Sequence, residues 1–165
     1  MKKIILILLL FVSFLYANIA KVTAIKGEVT IQRSTQTIIA KLGTIIEDKD
    51  SINTNESSRA QLIFKDNTII SLGKNSSFSI ENYLFEPKLP VVTKFKFGNG
   101  VFKTITGKIG KVSPEKFQLK TKTSSIGIRG TIVGLESKDE VDIIIVPQGK
   151  IVVVTLEGTV VVNTG

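Results

Sequence analysis

The chain has 165 residues, with 22 Lys and Arg against 14 Asp and Glu, and it contains no His, Cys or Trp. Without His and Cys there is no Ser-His-Asp or Cys-His nucleophile, usual zinc site, iron–sulfur cluster or disulfide. The composition leaves carboxylate chemistry, oxygen-ligated calcium and plain binding as function classes. The length predicts one domain with a core of its own.

The first 17 residues have the pattern of a secretory signal peptide. Two lysines precede a segment, 4–15, that is uncharged and apolar except for one serine. This segment is too short for a membrane span of about 20 residues. We therefore predict a signal peptide at 1–17, cleaved after Ala17, and a single exported domain at 18–165 with no transmembrane span. An uncleaved N-terminal anchor is the alternative.

The composition of residues 18–165 favours strands, because they contain 21 Ile, 15 Val and 16 Thr but only 12 Ala and Leu together. β-Branched side chains lose rotamer freedom in helices and pack well on pleated sheets. Short apolar runs recur between Gly, Asn, Asp and Ser clusters, and no window has a convincing 3.6-residue period. We predict an all-β fold of stacked short antiparallel strands, sandwich- or solenoid-like, with no substantial helix.

The predicted strands, in chain order, are 22–33, 38–46, 50–53, 60–64, 68–72, 77–81, 94–97, 101–105, an arm at 108–112, 117–123, 129–135, 141–146, 150–156 and 159–163. The polar turn 65–67 predicts a hairpin. Two prolines in 82–92 predict a loop. Alternation places Phe95 and Phe97 on one face. Pro114 can open one helical turn at most.

One segment carries a family resemblance. Residues 121–131 read Thr-Lys-Thr-Ser-Ser-Ile-Gly-Ile-Arg-Gly-Thr. This stretch resembles the hallmark of FecR-type periplasmic domains, which is a Thr-Pro dipeptide, a small-residue stretch and then Gly-Val-Arg-Gly-Thr. The matching positions are Thr121, Gly127, Arg129, Gly130 and Thr131, with Ile128 as a near match and Lys122 in place of the proline.

Other segments resemble further parts of the same family. Residues 43–54 resemble its G-D-x-I-x-T segment, and residues 58–68 resemble its S-x-A-x-L-x-F-x-D-G-S hairpin, with Asn67 in the place of a glycine. Residues 98–114 resemble its middle section. The likeness covers roughly residues 25–162, and several ordered motifs are more specific than any single one.

The resemblance implies an all-β, non-enzymatic module with no cofactor. The best-known members lie in the periplasm, beyond a membrane helix and a cytoplasmic anti-sigma segment, and relay a signal from an outer-membrane receptor. No cytoplasmic segment precedes the apolar stretch here, so we expect a likeness to the stand-alone secreted members. We predict a periplasmic or secreted interaction and signal-relay module of the Gram-negative envelope, whose partner is a receptor, sensor or surface protein.

The hallmark residues have two interpretations. Arg129 offers five donors in a rigid fork and could grip a carboxylate of a partner. The interpretation we favour is structural, with Arg129 tying neighbouring turn carbonyls together. Gly127 and Gly130 are expected to adopt unusual backbone angles or to let another segment approach the backbone closely.

Positive charge is concentrated in residues 88–122, which contain nine Lys and one acid. The segment supports an alternative function, a structural module that binds the cell wall or surface polysaccharide. Solvated strand faces are the competing interpretation. Nucleic acid is not expected as a partner, because the aromatic residues alternate toward a core face and the chain is exported. The candidate interaction residues are Lys94, Lys96, Lys103, Lys108, Lys111, Lys116, Lys120 and Lys122.

The remaining features predict no chemistry. The acidic run 47–50 fails the EF-hand pattern, a second acidic turn at 136–142 is expected to be solvated, and we assign no catalytic or metal-ligating residue. The apolar runs 151–154 and 160–162 predict strands buried on both faces. If the final edge is exposed, it could accept a strand from a partner or pair with a second copy of itself.

Overall fold

The computed structural model describes residues 18–86 and 91–164, so the signal peptide predicted at 1–17 lies outside the described residues, as do both prolines of the predicted loop. A short helix, α1 (Lys108–Val112), and a 3-10 turn (Pro114–Lys116) interrupt an otherwise all-β chain, as predicted. The strands are β1 (Asn18–Lys26), β2 (Val29–Arg33), β3 (Gln36–Ile39), β4 (Ile45–Glu47), β5 (Ser51–Thr54), β6 (Arg59–Phe64), β7 (Ile69–Leu72), β8 (Ser77–Leu84), β9 (Val92–Phe97), β10 (Gly100–Ile105), β11 (Phe117–Lys120), β12 (Ser125–Lys138), β13 (Val141–Val154) and β14 (Thr159–Asn163).

One continuous sheet is folded into two facing halves by β12. The first half has the order β3-β2-β5-β8-β9-β11, and the second half has the order β10-β7-β6-β1-β4. Strand β12 belongs to both halves, because its residues 125–127 pair with β11 and its residues 132–137 pair with β10. Its other edge pairs with β13, which in turn pairs with β14. Strands β9 and β11 are parallel, and the other described pairs are antiparallel.

An aromatic core lies between the two halves. Phe64 of β6 lies 4.8 Å from Phe95 of β9, and Phe97 of β9 lies 4.4 Å from Phe102 of β10, measured between ring centroids. These pairs join strands of different halves, so the architecture is sandwich-like. Phe95 and Phe97 are both fully buried, as the alternation predicts. Burial of each ring contributes about 1.5–3 kcal/mol.

The predicted hairpin at 65–67 is confirmed by the pairing of β6 with β7, in which Ala60 lies opposite Leu72. Asn67 in its turn has a φ of +66°. Asn tolerates this left-handed conformation better than most residues do. This explains how Asn67 can stand where the family pattern has a glycine.

The predicted arm at 108–112 is wrong, because these residues form α1. Asp66, which is far from α1 in the sequence, fixes the start of the helix. Its carbonyl accepts a hydrogen bond from the N–H of Lys108 at 2.7 Å. The Asp66 carboxylate accepts from the N–H of Ile109 at 3.2 Å. Such a long-range contact has no signal in the local pattern. The single helical turn predicted at Pro114 is confirmed.

Strands β12 and β13 have 14 residues each, so the prediction of short strands is wrong there. Strand β13 runs through Pro147 and Gly149, which made it look like two strands. Pro147 is tolerated because the β12 pairing is irregular there and β14 pairs only with residues 150–154. Gly149, with a φ of +96°, lies opposite the extra residue that β12 carries between Arg129 and Ile132.

Candidate functional site

The hallmark segment begins in a turn between β11 and β12 that Thr121 holds together. Its Oγ1 accepts hydrogen bonds from the N–H groups of Thr123 at 3.2 Å and Ser124 at 2.9 Å. The same hydroxyl donates to Oδ2 of Asp142 at 2.5 Å, and the Thr123 hydroxyl donates to that oxygen at 2.7 Å. The turn before β12 is therefore tied to the first residues of β13.

Asp142 is the acceptor of this network, and sequence reasoning placed it in a solvated acidic turn. Burial raises its pKa, but hydrogen bonds from Thr121, Thr123 and Ser137 lower the pKa by more, so the net pKa lies below its usual value. The hydroxyls thus favour the ionised carboxylate. The prediction that the turn is merely solvated is wrong for Asp142.

Gly130 and Thr131 form the corner where β12 passes from one half to the other. Gly130 has a φ of +59°, the unusual backbone angle expected for it. Thr131 donates from Oγ1 to the carbonyl of Lys150 at 3.0 Å, and from its N–H to Oγ1 of Thr106 at 2.9 Å. A Cβ on Gly149 would stand 2.6 Å from the Gly130 carbonyl oxygen. These hallmark residues shape the corner.

Arg129 and Gly127 have no such role in the packing, although Ile128 between them is buried. Arg129 is exposed, and its guanidinium makes no hydrogen bond or ion pair with any other residue in the described ranges, so it does not tie the turn carbonyls. Gly127 lacks a positive φ, and a Cβ there would meet only the Val152 carbonyl oxygen, at 3.8 Å. Both positions are open to a partner.

The eight candidate lysines are not gathered into one patch. Lys94 and Lys96 of β9 lie beside β11 on the outer face of the first half, where Lys96 is the cross-strand neighbour of Lys120. Lys103 of β10 lies on the outer face of the second half. The connection between β10 and β12 carries the other four, which are Lys108, Lys111, Lys116 and Lys122.

A mixed basic and apolar surface forms where the first half meets β13 and β14. One row across it runs from Lys94 through Gln118, Gly127 and Val152 to Val161, each residue opposite the next. A second row runs through Lys96, Lys120, Ser125, Val154 and Thr159, and Arg129 lies opposite Lys150. We call this surface the lysine–valine face, comprising Lys94, Lys96, Lys120, Gly127, Arg129, Lys150, Val152, Val154 and Val161.

Sequence reasoning missed the β13 and β14 part of this face. The run 151–154 was predicted to be buried on both faces, which is wrong, because Val154 is 45% exposed while Ile151 is fully buried. Val161 is 49% exposed, so the run 160–162 is also not buried on both faces. The flanking Lys150 was the available signal, since one face of a half-solvated strand carries polar residues.

The cations of the lysine–valine face have few partners. Lys120 lies 3.8 Å from Glu81, and the other four cations form no ion pair with a residue that the structure describes. No aromatic residue is among the large apolar side chains exposed within 18–86 and 91–164. The face thus offers cations and aliphatic surface without a ring for stacking.

The acidic run 47–50 is held by an arginine. Asp50 is fully buried, and its two carboxylate oxygens accept from Arg33 at 2.9 and 2.7 Å. Glu47 accepts from the same guanidinium at 2.5 Å. The hydrogen bond to Asp50 is the largest cause of the raised pKa of Arg33. Within residues 18–86 and 91–164 no cluster of three or more acidic side chains is arranged to hold a metal ion.

The fold is that of an all-β domain, and the lysine–valine face is a broad exposed surface on it. The family model described as FecR protein matches residues 50–161, which is more than half of the chain. The chain therefore belongs to the FecR family, as the motifs predicted.

Two solved structures share the fold, both described as a "putative anti-sigma factor" from Parabacteroides distasonis ATCC 8503. Their TM-scores are 0.56 and 0.55, at 16% and 17% sequence identity. Each comparison covers 68% of this chain and 50% of the other, so this chain spans about half the length of those proteins. No curated protein matches the chain. None of the helices within 18–86 and 91–164 has the length and apolar character needed to cross a membrane.

Proposed function

We propose that this chain is a non-enzymatic interaction and signal-relay module of the cell envelope, exported by its N-terminal segment and acting in the periplasm. The observation that carries the proposal is the lysine–valine face, to which the family hallmark contributes Gly127 and Arg129 without a packing role. Membership of the FecR family and the anti-sigma description of the two structural neighbours support a regulatory role.

The chemistry of this face fits a protein partner with an acidic rim. Interfaces place apolar side chains at the centre and polar ones around them, as Val152 and Val161 lie beside the lysines here. The guanidinium of Arg129 can bind a carboxylate through two parallel hydrogen bonds. Lys94 and Lys96 would speed the approach of an acidic surface.

A protein partner is favoured over polysaccharide for two reasons. The candidate lysines are divided between two outer faces and a connection, so they do not form one continuous track. Sugar rings commonly stack on exposed aromatic rings, and the aromatic rings that the structure describes are buried or half-buried. A strand added by the partner would extend the same surface, because β14 pairs with no described strand other than β13.

Site-specific photo-crosslinking in the native cell tests this function. A crosslinking residue at Val161, 49% exposed on the face, is expected to capture one discrete envelope protein in the periplasmic fraction. The matched control is Ile143, which is 55% exposed on the outer face of the second half. Arg129→Glu should lower the Val161 yield at least about fivefold. Equal yields from both positions, or a yield unchanged by Arg129→Glu, would contradict the proposal.

A further inference from the structure

A groove of about 590 Å³ lies on the second half of the sheet, apart from the lysine–valine face. It runs along the ends of β1, β6, β7 and β10, where four cations line it: Lys26, Arg59, Lys74 and Lys103. Ser58 and Ser71 also line it. We call it the basic groove. Its volume falls in the range of about 300–1,000 Å³ that is typical of small-molecule sites.

The register of the strands explains its shape. Lys26 of β1 lies opposite Arg59 of β6, so these two cations share one wall. Lys103 of β10 lies opposite Ser71 of β7. Ser71 and Gly73 have small or absent side chains, which leaves a depression between the two walls. Lys74 follows in the turn after β7.

The charges of the basic groove are not neutralised by the protein. All four cations are exposed, and none of them forms an ion pair with a residue that the structure describes. Glu56 is the one acidic side chain that lines the groove. Like charges held close together repel one another, and a bound anion would relieve that repulsion.

Ser58 adds a hydroxyl to the wall of the groove. The residue is only 4% exposed, and its hydroxyl makes no hydrogen bond to another residue within the described ranges. The hydroxyl oxygen itself keeps contact with solvent, so it is accessible from the groove. A bound oxyanion would accept a hydrogen bond from this hydroxyl in place of water.

We propose that the basic groove binds a ligand that carries two or more phosphate or carboxylate groups. The Arg59 guanidinium would bind one oxyanion through paired hydrogen bonds, with Ser58 as a further donor. Lys103 on the opposite wall would bind a second one. The site is separate from the lysine–valine face and goes beyond the proposed function, and three of its four cations lie outside the basic segment 88–122.

Calorimetric titration of the full-length protein with pyrophosphate and with citrate tests the proposal. The double substitution Arg59→Gln and Lys103→Gln should weaken binding at least about tenfold. The matched control, Lys94→Gln and Lys96→Gln, removes the same charge from the other half and should change affinity less than about twofold. Ser58→Ala should weaken binding about threefold without lowering the melting temperature, since the hydroxyl makes no hydrogen bond to another residue within the described ranges.

The two probes distinguish the sources of the anionic group. Tighter binding of pyrophosphate supports a phosphate ligand, and tighter binding of citrate supports a carboxylate ligand. Equal weakening by both double substitutions would overturn the proposal, because it would indicate non-specific attraction. Absence of saturable binding for both probes would also overturn it. Neither result bears on the crosslinks from Val161, so this failure is distinguishable from failure of the proposed function.

Discussion

Thr121 donates a 2.5 Å hydrogen bond to Asp142, although the two residues belong to opposite ends of the β12–β13 hairpin. Ser125 at the start of β12 lies opposite Val154, whereas Asp142 lies opposite Ser137 near the end of β12. The two residues meet only because β12 folds over at its corner. The bond therefore joins the turn after β11, in the first half, to the start of β13, beside the second half.

Asp142→Asn is expected to lower the free energy of unfolding by about 1 kcal/mol at neutral pH. The folded-state pKa of Asp142 lies below its unfolded value of about 3.9. Its contribution is therefore complete above that value and is lost as the pH falls through the folded pKa. Urea denaturation at pH 7, 5 and 3 should show that the free energy of unfolding falls less at acid pH in Asp142→Asn than in the wild type. The control is Asp139→Asn in the exposed turn. If Asp142→Asn lost as much unfolding free energy at acid pH as the wild type does, the stabilising role of the Asp142 carboxylate would be contradicted.

Elements whose determinants are close in the sequence were predictable. The 65–67 hairpin and the alternation of Phe95 and Phe97 rest on neighbouring residues, and both are confirmed. Helix α1 depends on Asp66, which is 43 positions away from Ile109. The continuity of β13 through Pro147 depends on which strand edges are unoccupied. Neither kind of information is present in a local pattern.

The candidate sites were less predictable, because a sum of charges along the sequence does not show which side chains lie together in the fold. Residues 18–87 balance eight basic against eight acidic side chains, yet Lys26, Arg59 and Lys74 from this neutral stretch line the basic groove. Two of the balancing acids, Glu47 and Asp50, are bound elsewhere by Arg33. Only the pairing of strands decides which charges share a face.

Gly149→Ala is expected to destabilise the corner of β12 by at least about 3 kcal/mol. Its Cβ would stand 2.6 Å from the Gly130 carbonyl oxygen and 2.9 Å from Cα of Thr131, in addition to the strain at a φ of +96°. The control is Gly43→Ala, where φ is +82° but the new Cβ would have no atom of a non-adjacent described residue within 4 Å, so strain alone should cost about 1 kcal/mol. Chemical denaturation measures both, and equal losses would show that the corner has room for a side chain.

Arg33→Gln is expected to lower the free energy of unfolding by about 2–3 kcal/mol, because it leaves the buried Asp50 carboxylate without its guanidinium. The value lies below that for a fully buried pair, since the Arg33 side chain is 25% exposed. Arg59 is exposed and forms no ion pair with a residue that the structure describes, so Arg59→Gln should change the free energy of unfolding by less than about 0.5 kcal/mol. Thermal and urea denaturation of the two variants should therefore differ clearly, and similar curves would show that the Arg33 cluster contributes little.

Gly127→Leu should leave the fold intact while blocking the lysine–valine face. A Cβ at this position meets only the Val152 carbonyl oxygen at 3.8 Å, and the backbone lacks a positive φ, so stability should change by less than about 0.5 kcal/mol. The leucine would project over the valines and exclude a close partner, lowering the crosslink yield from Val161 at least about fivefold. Gly134→Leu is the matched control on the same strand, because its Cβ would meet Ile145 at an ordinary 3.7 Å. If the crosslink yield from Val161 in Gly127→Leu equalled that of the wild type, the partner would not approach β12 at Gly127.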